Sequence, residues 1–533
     1  MITTAAATAK AIADAGIRRV FGLPGGEVLL LIDELRRAGV DFVLMRHESN
    51  AGIAAAVYGK LRRQPGVVLT TLGPGAANLM LPLSSSYLEQ EPLLALSAQI
   101  PDEFPSSHTH QLLPLHDVYR PVTKYVEKIT AQNVNQVVGH AIEACLQRPF
   151  GAAYLTLSAP EAMKSVANGA RQSPASPKAS SGKARDAGEE AKKLTEALRP
   201  AKRPLVVVGL GFDPANADRL ARWLKDWGLP VAVTPKIKGI VDETADNFVG
   251  VVSGMAADDV MCDALKASDL LIGLGLDPVE VDKQWHAELP IHWLLEAPNV
   301  GGIVPPGTRL VDHAWLLEAL LHRKAPAQWD APFREFQRKR LGKLKGQSAT
   351  PGTMWPGDLI QSLASVLPPE AIVTTDVGSH KYLFGQYWPS RRPETFWMSN
   401  GLSGMAYGLS AAIGAKLARP DVPVLAAVGD GGFSMNSQEL ETAERIGAPF
   451  ITVVLEDQSY SLIKLAQEGR KLESYRMDFG PIDSVKTAES CGVAGVRTAD
   501  PGTLAATVRD AVKRNKSLVV GVPINYEDYR RIF

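Results

Sequence analysis

Short runs of β-forming residues alternate with stretches of helical periodicity along most of the sequence, and this alternation predicts parallel α/β architecture. The runs in the first part of the chain are Arg19–Phe21, Asp41–Met45, Gly66–Thr71, Pro92–Ser97 and Ala152–Leu157. Later runs are Pro204–Leu210, Pro230–Thr234, Leu270–Leu274, Ile372–Thr375, Val424–Val428, Phe450–Leu455 and Ser517–Val522. Because 533 residues exceed what one hydrophobic core supports, we expect three doubly wound parallel-sheet domains in series.

Two segments of different composition divide the chain. Residues 166–190 are rich in Ser, Ala, Pro, Gly and Lys, a composition typical of a linker because it buries little apolar surface. A second break containing Pro, Gly and Ser lies at residues 342–356. We therefore predict a first domain over residues 1–165, a linker over 166–190, a middle domain over 191–341 and a third domain over 342–533.

The charge balance and the cysteines narrow the functional class. Lys plus Arg and Asp plus Glu both number 57, so no net field attracts nucleic acid or an anionic membrane. Three cysteines, Cys145, Cys262 and Cys491, lie far apart and suggest neither a disulfide framework nor a zinc site. We also find no export signal and no membrane-length apolar run. These features favour small-molecule chemistry in the cytoplasm.

The β-like run that begins at Val424 ends in Gly429-Asp430-Gly431-Gly432. Ligands of open parallel sheets bind at the carboxyl ends of strands, where glycines admit a phosphate and a carboxylate can hold a metal ion. Taken alone, the same residues are more often an ordinary turn between strand and helix. The motif is therefore a candidate diphosphate and Mg²⁺ site that needs independent support.

A second acidic strand end follows the first. The run Phe450–Leu455 leads into Glu456-Asp457-Gln458-Ser459-Tyr460, and a helix-like stretch, Ser437–Ile446, separates it from the Asp430 turn. Strands connected in this way are parallel neighbours, so both acidic ends should lie on one edge of the sheet. This arrangement favours a Mg²⁺ site over two unrelated strand-end acids.

These residues resemble the thiamine-diphosphate enzyme superfamily, whose hallmark is a Gly-Asp-Gly turn followed at a similar distance by an Asn-Asn or equivalent pair. The resemblance covers essentially the whole chain. It implies that the side chains of Asp430 and Asp457 and the carbonyl of Ser459 bind Mg²⁺. The chain departs from the pattern in having Glu456-Asp457 in place of Asn-Asn: Asp457 keeps the ligand oxygen, and the role of Glu456 stays open.

The same resemblance implies further cofactor contacts. In the segment Thr375–His380 it marks a diphosphate-binding stretch, and in Ser399–Gly408 it marks Met405 as the apolar wedge that bends the cofactor. Without the resemblance, His380 would be interpreted as a structural hydrogen-bonding residue and Met405 as a core residue. The implied cofactor-binding residues are Pro24, Gly25, Gly73, Pro74, Asn78, Val377, Gly378, Ser379, His380, Gly401, Met405, Gly429, Gly431, Gly432, Tyr460 and Ser461.

The first domain provides the catalytic candidate. Glu48 follows the run Asp41–Met45 and precedes the small residues Ala51–Ala56. A strand-end glutamate is usually solvated surface, but this one matches the superfamily glutamate that bonds N1′ of the aminopyrimidine. Such a glutamate needs a partly desolvated pocket, and the loop that contains Gly73, Pro74 and Asn78 resembles its wall.

Three segments resemble the acetolactate synthase group, and its catabolic branch in particular: His110-Gln111, Gly275–Glu280 and Met477–Asp483. The resemblance implies decarboxylation of a 2-oxo acid such as pyruvate and transfer of the acyl unit to a second carbonyl compound. His110 and Gln111 are the candidates for handling substrate oxygens and protons. Acceptor choice depends on a few pocket side chains and stays open.

Several alternatives remain at this point. A non-ligating 2-oxo acid decarboxylase or a benzaldehyde-lyase-like enzyme would use the same scaffold, and an inactive homologue is a third possibility. A nicotinamide-dependent dehydrogenase is disfavoured because Val206–Gly211 begins a GxGxxG turn without completing it. For the same reason, and by resemblance to the catabolic branch, we expect no FAD. The resemblance also implies a homodimer or homotetramer whose sites combine two subunits.

Overall fold

A computed structural model describes residues 2–105, 107, 109–166, 183–280, 291–329 and 333–533. It contains three six-stranded sheets with parallel pairing throughout and with flanking helices, which confirms the expected fold class. The first sheet comprises β1 (Arg19–Leu23), β2 (Asp41–Leu44), β3 (Gly66–Thr70), β4 (Leu93–Ser97), β5 (Tyr125–Lys128) and β6 (Ala152–Thr156). The second comprises β7 (Pro204–Val208), β8 (Val231–Val233), β9 (Phe248–Val251), β10 (Leu270–Leu274), β11 (Ile291–Leu295) and β12 (Arg309–Leu310). The third comprises β13 (Ile372–Thr375), β14 (Phe396–Met398), β15 (Val424–Gly429), β16 (Ile451–Glu456), β17 (Ala494–Arg497) and β18 (Leu518–Pro523).

The strand orders separate the middle sheet from the other two. The first sheet runs β2-β1-β3-β4-β6-β5, and the third repeats this order as β14-β13-β15-β16-β18-β17. The middle sheet runs β12-β11-β10-β7-β8-β9, which is the order of doubly wound dinucleotide-binding sheets. In all three, ligands are expected at the carboxyl ends of strands next to the position where the order reverses.

Helices connect the strands. Those before residue 167 are Thr4–Asp14, Leu29–Arg37, Glu48–Arg62, Pro74–Ala77, Met80–Leu88, Leu115–Tyr119, Val134–Leu146 and Ala159–Met163. Those around the middle sheet are Lys183–Leu198, Ala217–Trp227, Asp258–Lys266, His313–Leu321 and Phe333–Gly342. Those after residue 350 are Pro356–Ala364, Ser379–Tyr387, Tyr407–Ala418, Asp430–Asn436, Glu439–Arg445, Ser461–Gly469, Ser484–Ser490, Pro501–Arg514 and Tyr529–Ile532. Short 3₁₀ turns occupy Gly26–Val28, Arg120–Val122, Pro214–Asn216, Pro235–Ile237, Pro278–Glu280 and Tyr526–Asp528.

The linker and domain boundaries stay predictions. Residues 167–182, most of the predicted linker, lie outside the described residues. The helix Lys183–Leu198 begins inside the predicted linker range. Backbone contacts group the chain into two compact units: Met1–Lys178 with Leu402–Pro420 and Gln438–Ala448 form the first unit, and the remaining residues form the second.

The first unit is built around the helix Glu48–Arg62, which is buried along most of its length. Its small residues let the helix Tyr407–Ala418 approach closely, and a Cβ atom at Gly414 would lie 2.2 Å from the carbonyl oxygen of Ala54. Such close contact needs glycine because a larger residue would force the backbones apart. The first unit therefore includes a helix that is remote in sequence and packs directly on Glu48–Arg62.

Buried polar groups tie the two sheets of the second unit together. The side chain of Gln386 accepts from the N–H of Val251 at 2.9 Å and donates to the carbonyls of Val251 and Ala256 at 2.9 and 2.7 Å. Lys238 donates to Glu243 at 2.5 Å and to the carbonyl of Trp388 at 3.0 Å. Burial of these polar groups is tolerated because each has partners.

No helix within the described ranges is both long enough and apolar enough to cross a membrane. The strands β3, β4, β6, β7 and β10 are instead buried over their full lengths between helical layers. Runs that are apolar on both faces are typical of parallel sheets covered on both sides.

Candidate active site

The first group of candidate residues lies in the second unit, at the carboxyl edge of the third sheet. There β13, β15 and β16 are adjacent, and β15 pairs with the other two. Asp430 begins the helix that follows β15, and Asp457 follows β16. The two acidic strand ends that the sequence predicts on one edge are therefore brought together.

Asp430 is held by main-chain donors. Its carboxylate accepts from the N–H of Gln458 at 2.8 Å and from the N–H of Gly431 at 2.9 Å. Burial raises its pKa to about 6 against these hydrogen bonds. The bond to Gln458 joins the turn after β15 to the turn after β16, so the two turns form one structure.

Asp457 lies against Asp430. Burial, followed by the charge of Asp430, raises the pKa of Asp457 to about 7. Two desolvated carboxylates that repel each other form a place where a cation is favourable. Hydrogen bonds from the hydroxyl of Ser461 and the N–H of Ser459 oppose this rise in the pKa of Asp457.

Two carboxylates alone make a sparse metal site. Across the described parts of the chain, no group of three or more His, Cys, Asp and Glu side chains is placed to hold a metal ion. Mg²⁺ suits such a site, since it is typically held by one or two carboxylates and takes its other ligands from phosphate and water. The donor set therefore fits Mg²⁺ bound with a diphosphate better than a metal held by protein alone.

Glycines allow the turns at this edge to pack closely. A Cβ atom at Gly432 would lie 1.9 Å from Oδ2 of Asp376, and one at Gly431 would lie 2.9 Å from the ring of Tyr460. The ring of His380 fills the space beside Gly378 and Gly429, where added Cβ atoms would lie 2.6 and 2.9 Å away. The predicted diphosphate residues on the turns after β13 and β15 are thus in direct contact.

His380 carries an unused polar atom. The residue is buried, and within the described residues its Nε2 has no hydrogen-bond partner. Burial lowers the pKa of His380 to about 3, so the ring is neutral at physiological pH. Buried polar atoms are normally paired, and this one indicates that a bound group completes the site.

Ser379 and Ser461 join the third strand end to the others. Both are buried, and their hydroxyls lie 2.8 Å apart. Ser379 begins the helix after β13, and Ser461 begins the helix after the Asp457 turn. Val377 is also placed here, because its N–H donates to Asp376 at 2.9 Å.

Glu456, which differs from the superfamily pattern, is bound by side chains of neighbouring elements. Its carboxylate accepts from the hydroxyl of Ser484 at 2.6 Å and from two guanidinium nitrogens of Arg497 at 3.0 Å each. These partners lie on β17 and the preceding helix. Glu456 therefore ties the end of β16 to the edge of the sheet, and its charge also helps to raise the pKa of Asp430.

The second group of candidate residues lies in the first unit. Glu48 is 6% exposed and opens the helix Glu48–Arg62, with His47 as the N-cap. The carboxylate of Glu48 accepts from the side-chain amide of Asn78 at 2.8 Å, and the hydroxyl of Ser49 donates to the carbonyl of Asn78 at 2.6 Å. The structure thus places Glu48 in the desolvated position expected from sequence and joins it to the predicted loop.

The loop after β3 carries the other predicted residues. Gly73 has φ +59° and precedes Pro74, which opens a short helix. A Cβ atom at Gly73 would lie 3.0 to 3.2 Å from the side chain of Gln111, so Gln111 is placed against this loop. His110, the preceding residue, is exposed.

Sequence reasoning missed two polar residues in the same place. The hydroxyl of Thr71 donates to the carboxylate of Glu27 at 2.6 Å, and Thr71 also packs under Gly25, next to Pro24. Its methyl group and the carboxylate of Glu48 both face Gly75. The sequence signal for this pair was Glu27, an acidic residue shortly after the end of β1. In the sheet, β1 lies between β2 and β3.

For two other predicted residues, Gly401 and Met405, the structure gives the position and the burial. Gly401 follows β14 and is half-buried, as is Met405. Ala406, next to Met405, has the left-handed conformation with φ +65° and caps the helix Tyr407–Ala418. Gly401 and Met405 fall into different units, so each is placed only within its own unit.

Comparison with known proteins agrees with this arrangement. Models of thiamine pyrophosphate (thiamine diphosphate) enzymes match three parts of the chain: the N-terminal binding domain at residues 2–118, the central domain at 191–304 and the C-terminal binding domain at 376–522. The chain belongs to the thiamine pyrophosphate enzymes. The acidic turns lie in the C-terminal match and Glu48 lies in the N-terminal match.

Relatives refine the assignment within this family. An acetolactate synthase of Bacillus subtilis is 30% identical over 97% of this chain and 92% of its own length. A catabolic acetolactate synthase of Raoultella terrigena is 28% identical over 96% and 93%. A probable acetolactate synthase large subunit of Methanocaldococcus jannaschii is 26% identical over 98% and 92%. This chain is accordingly a thiamine-diphosphate-dependent, acetolactate synthase-like enzyme.

Proposed function

We propose that this enzyme decarboxylates a 2-oxo acid, pyruvate being the first candidate, and transfers the acyl unit to a second carbonyl compound. The observation that carries the proposal is the edge of the third sheet, where two buried carboxylates with raised pKa values adjoin glycine turns and an unpaired histidine nitrogen. Full-length similarity to acetolactate synthases supplies the reaction class.

In this proposal Mg²⁺ is held by the carboxylates of Asp430 and Asp457 and by the main-chain carbonyl of Ser459. The cation relieves the repulsion that raises the pKa of Asp457. The diphosphate is received by the glycine turns and by residues that adjoin them. We assign this role to Val377, Gly378, Ser379, His380, Gly429, Gly431, Gly432, Tyr460 and Ser461, and extend the cofactor site with Gly401 and Met405.

Thiamine diphosphate supplies an electron sink for the electrons released with CO₂. Glu48 is the group we propose to hold and move a proton at N1′ of the pyrimidine. The amide of Asn78 fixes one carboxylate oxygen of Glu48 at 2.8 Å, which leaves the other oxygen for this task. Pro24, Gly25, Gly73 and Pro74 form the surrounding wall in this proposal.

Substrate handling is assigned to the residues near Gly73. Gln111 contacts this loop and is therefore the better supported member of the pair His110 and Gln111. Glu27 and Thr71 join the same set because their hydrogen bond lies between Gly25 and Gly75. The amide of Gln111 can donate to the oxygens of a small 2-oxo acid or aldehyde, and the carboxylate of Glu27, oriented by Thr71, can accept a proton.

We propose that the middle domain binds no FAD, although its sheet has the dinucleotide-binding order. Glu280 lies against the turns after β7 and β8, where its carboxylate accepts from the N–H of Leu210 at 2.8 Å and from the hydroxyl of Thr234 at 2.7 Å, respectively. A carboxylate in this position disfavours a phosphate by charge and by competition for the same donors.

The decisive experiment is product analysis with pyruvate as sole substrate, in the presence of thiamine diphosphate and Mg²⁺. We expect CO₂ and acetolactate. Acetaldehyde as the only carbonyl product would replace the proposal with a non-ligating decarboxylase. Cleavage of an aromatic 2-hydroxy ketone without turnover of pyruvate would replace it with a lyase.

We also propose a cytoplasmic homodimer or homotetramer with sites shared between subunits. No disulfide joins Cys145, Cys262 and Cys491, all within the described residues, which is consistent with a reducing compartment. Mixing inactive Glu48→Gln and Asp430→Ala subunits should restore activity through hybrid sites. Subunit exchange without recovered activity would count against shared sites.

A further inference from the structure

The turn that carries Asp457 and Ser459 pairs with a remote segment. The N–H of Tyr460 donates to the carbonyl of Met477 at 2.9 Å, and the N–H of Phe479 donates to the carbonyl of Gln458 at 3.0 Å. These bonds enclose an antiparallel bridge between Ser459 and Asp478. The segment Met477–Phe479 thus supplies an added edge to the turn.

The turn needs such support because its backbone is unfavourable. Gln458 has φ +56°, in the left-handed region that a non-glycine residue rarely adopts. Its N–H nevertheless has to reach Asp430. A strained conformation persists only when surrounding contacts determine it.

One ion pair fastens the added edge. Lys464, in the helix Ser461–Gly469, donates to the two carboxylate oxygens of Asp478 at 2.9 and 3.1 Å. Its hydrogen bond to Asp478 raises the pKa of Lys464, and the same bond lowers the pKa of Asp478. The Lys464 ammonium also lies 4.2 Å from the centre of the Tyr526 ring.

The ion pair between Lys464 and Asp478 joins the two ends of an exposed segment. Residues 470–476, between the helix and the added edge, are exposed. The pair adds to the backbone bonds at Gln458 and Tyr460, to the bonds of the Ser459 hydroxyl with Met477 and Asp478, and to the packing of the Tyr460 ring on Phe479, whose centres are 5.2 Å apart. Holding the ends of a flexible loop together carries an entropic cost, which a specific contact offsets.

We propose that Lys464 and Asp478 are positioning residues, which hold the turn after β16 in the geometry that binds Mg²⁺. This inference rests on the proposed metal site and extends it to residues that do not themselves bind the metal. Loss of the pair should weaken metal-dependent cofactor binding while the chemistry at saturation is preserved.

The test uses full-length apoenzyme titrated with Mg²⁺ at fixed thiamine diphosphate, with intrinsic tryptophan fluorescence as the binding signal. We expect Asp478→Asn and Lys464→Met to need about three- to tenfold more Mg²⁺, since partly exposed pairs contribute modestly. Activity at saturating Mg²⁺ should remain within about twofold of wild type, because the reacting groups are untouched.

Two further variants sharpen the test. The charge swap Lys464→Asp with Asp478→Lys should restore much of the Mg²⁺ affinity. Asp510→Asn removes the carboxylate of a surface pair with Arg514, 2.9 Å apart, and should change nothing. If either single variant fails to fold, the other single variant and the swap still decide the question.

The outcomes separate this inference from the metal site itself. If Asp430→Ala abolishes Mg²⁺-dependent binding but both single variants titrate like wild type, the positioning role is wrong. A swap no better than the single variants would also overturn it. If Asp430→Ala titrates like wild type, the proposed metal site fails instead.

Discussion

The middle sheet and the third sheet both present a glycine turn and a buried acid at a carboxyl edge, yet the acids are used differently. At the middle edge, Glu280 of the same chain accepts from the N–H of Leu210 after β7 and from the N–H of Lys236 after β8. After β15 the acid Asp430 faces a second acid, Asp457, and His380 keeps a buried nitrogen without a partner in the described residues. The acid of the middle edge is bound by donors of its own chain, while the opposed acids and the unpaired nitrogen of the third edge fit the proposed cation and anion.

The first sheet resembles the third in this respect and shares its strand order. Glu48 is buried at its carboxyl edge with one amide donor, from Asn78. The candidate cofactor residues thus lie mainly on the two sheets that share a topology, and not on the sheet with the dinucleotide-binding order. Strand order alone would not have distinguished the three sheets, because each has a reversal point that favours ligand binding.

The largest expected effect comes from Asp430→Ala, which removes one of the two opposed carboxylates. We expect no measurable Mg²⁺-dependent binding of thiamine diphosphate, because Asp457 alone cannot fix the ion. Isothermal titration calorimetry on apoenzyme measures this. Glu280→Ala serves as the matched control, and equal loss of cofactor binding in that variant would remove the contrast between the two edges.

Glu48→Gln tests the edge of the first sheet. The amide retains hydrogen bonding but cannot exchange a proton as the carboxylate does, so cofactor binding should persist. Exchange of the C2 proton of bound thiamine diphosphate should slow by about 10²- to 10⁴-fold. Hydrogen–deuterium exchange followed by acid quench and NMR gives the rate. A wild-type exchange rate in this variant would contradict the assignment of Glu48.

Glycine substitutions compare the two turns directly. Gly432→Ala would press a Cβ atom against Asp376, and Gly209→Ala would press one against the backbone of Leu276 at 2.6 Å. Overpacking of this kind costs about 1 to 3 kcal/mol, or roughly 5- to 150-fold in an equilibrium constant. We expect Gly432→Ala to lose cofactor affinity and Gly209→Ala to lose only stability, as measured by calorimetry and urea unfolding. Reversed effects would show that the middle turn binds the cofactor.

The smallest effect concerns pH. Burial raises the pKa of Glu280 from 4.5 to about 7, so the folded protein binds an extra proton between these values. This contribution to stability is full below pH 4.5 and is lost as pH rises through about 7, by at most about 3 kcal/mol. Glu280→Gln cannot titrate. Its free energy of unfolding should therefore improve relative to wild type between pH 5 and 8, and a constant difference would contradict this account.

Much of the fold follows from local sequence. The runs at Leu270–Leu274 and Ile372–Thr375 match strands, and the other predicted runs match to within a few residues. The missed strands include the short β14 and the poorly buried β5 and β17, which lack a sustained apolar run. The sequence predicted that β15 and β16 are neighbours, but not the full strand order, since that depends on which edges pair after the helices pack.

The candidate site likewise contains residues that local sequence identifies and residues that only tertiary contacts reveal. Asp430 and Asp457 were candidates because each directly follows a strand, and Glu48, four residues after the end of β2, was a candidate through the superfamily resemblance. The pair Glu27 and Thr71 was missed because its contact joins strand ends 44 residues apart. The role of Glu280 depends on a bond across 70 residues, to Leu210. Side-chain contacts at such separations leave no local pattern in the sequence.

The helix Tyr407–Ala418 and residues of Gln438–Ala448 belong to the first unit. The first unit therefore cannot finish folding until the ribosome has made these late segments. Glu439, for example, accepts from the amide of Asn50 at 2.9 Å inside that unit. At about 5 to 20 residues per second, the ribosome reaches these segments tens of seconds after completing the first sheet. Until then the apolar face of Glu48–Arg62 lacks its cover, so nascent chains should depend on chaperones, and a fragment ending at residue 165 should aggregate.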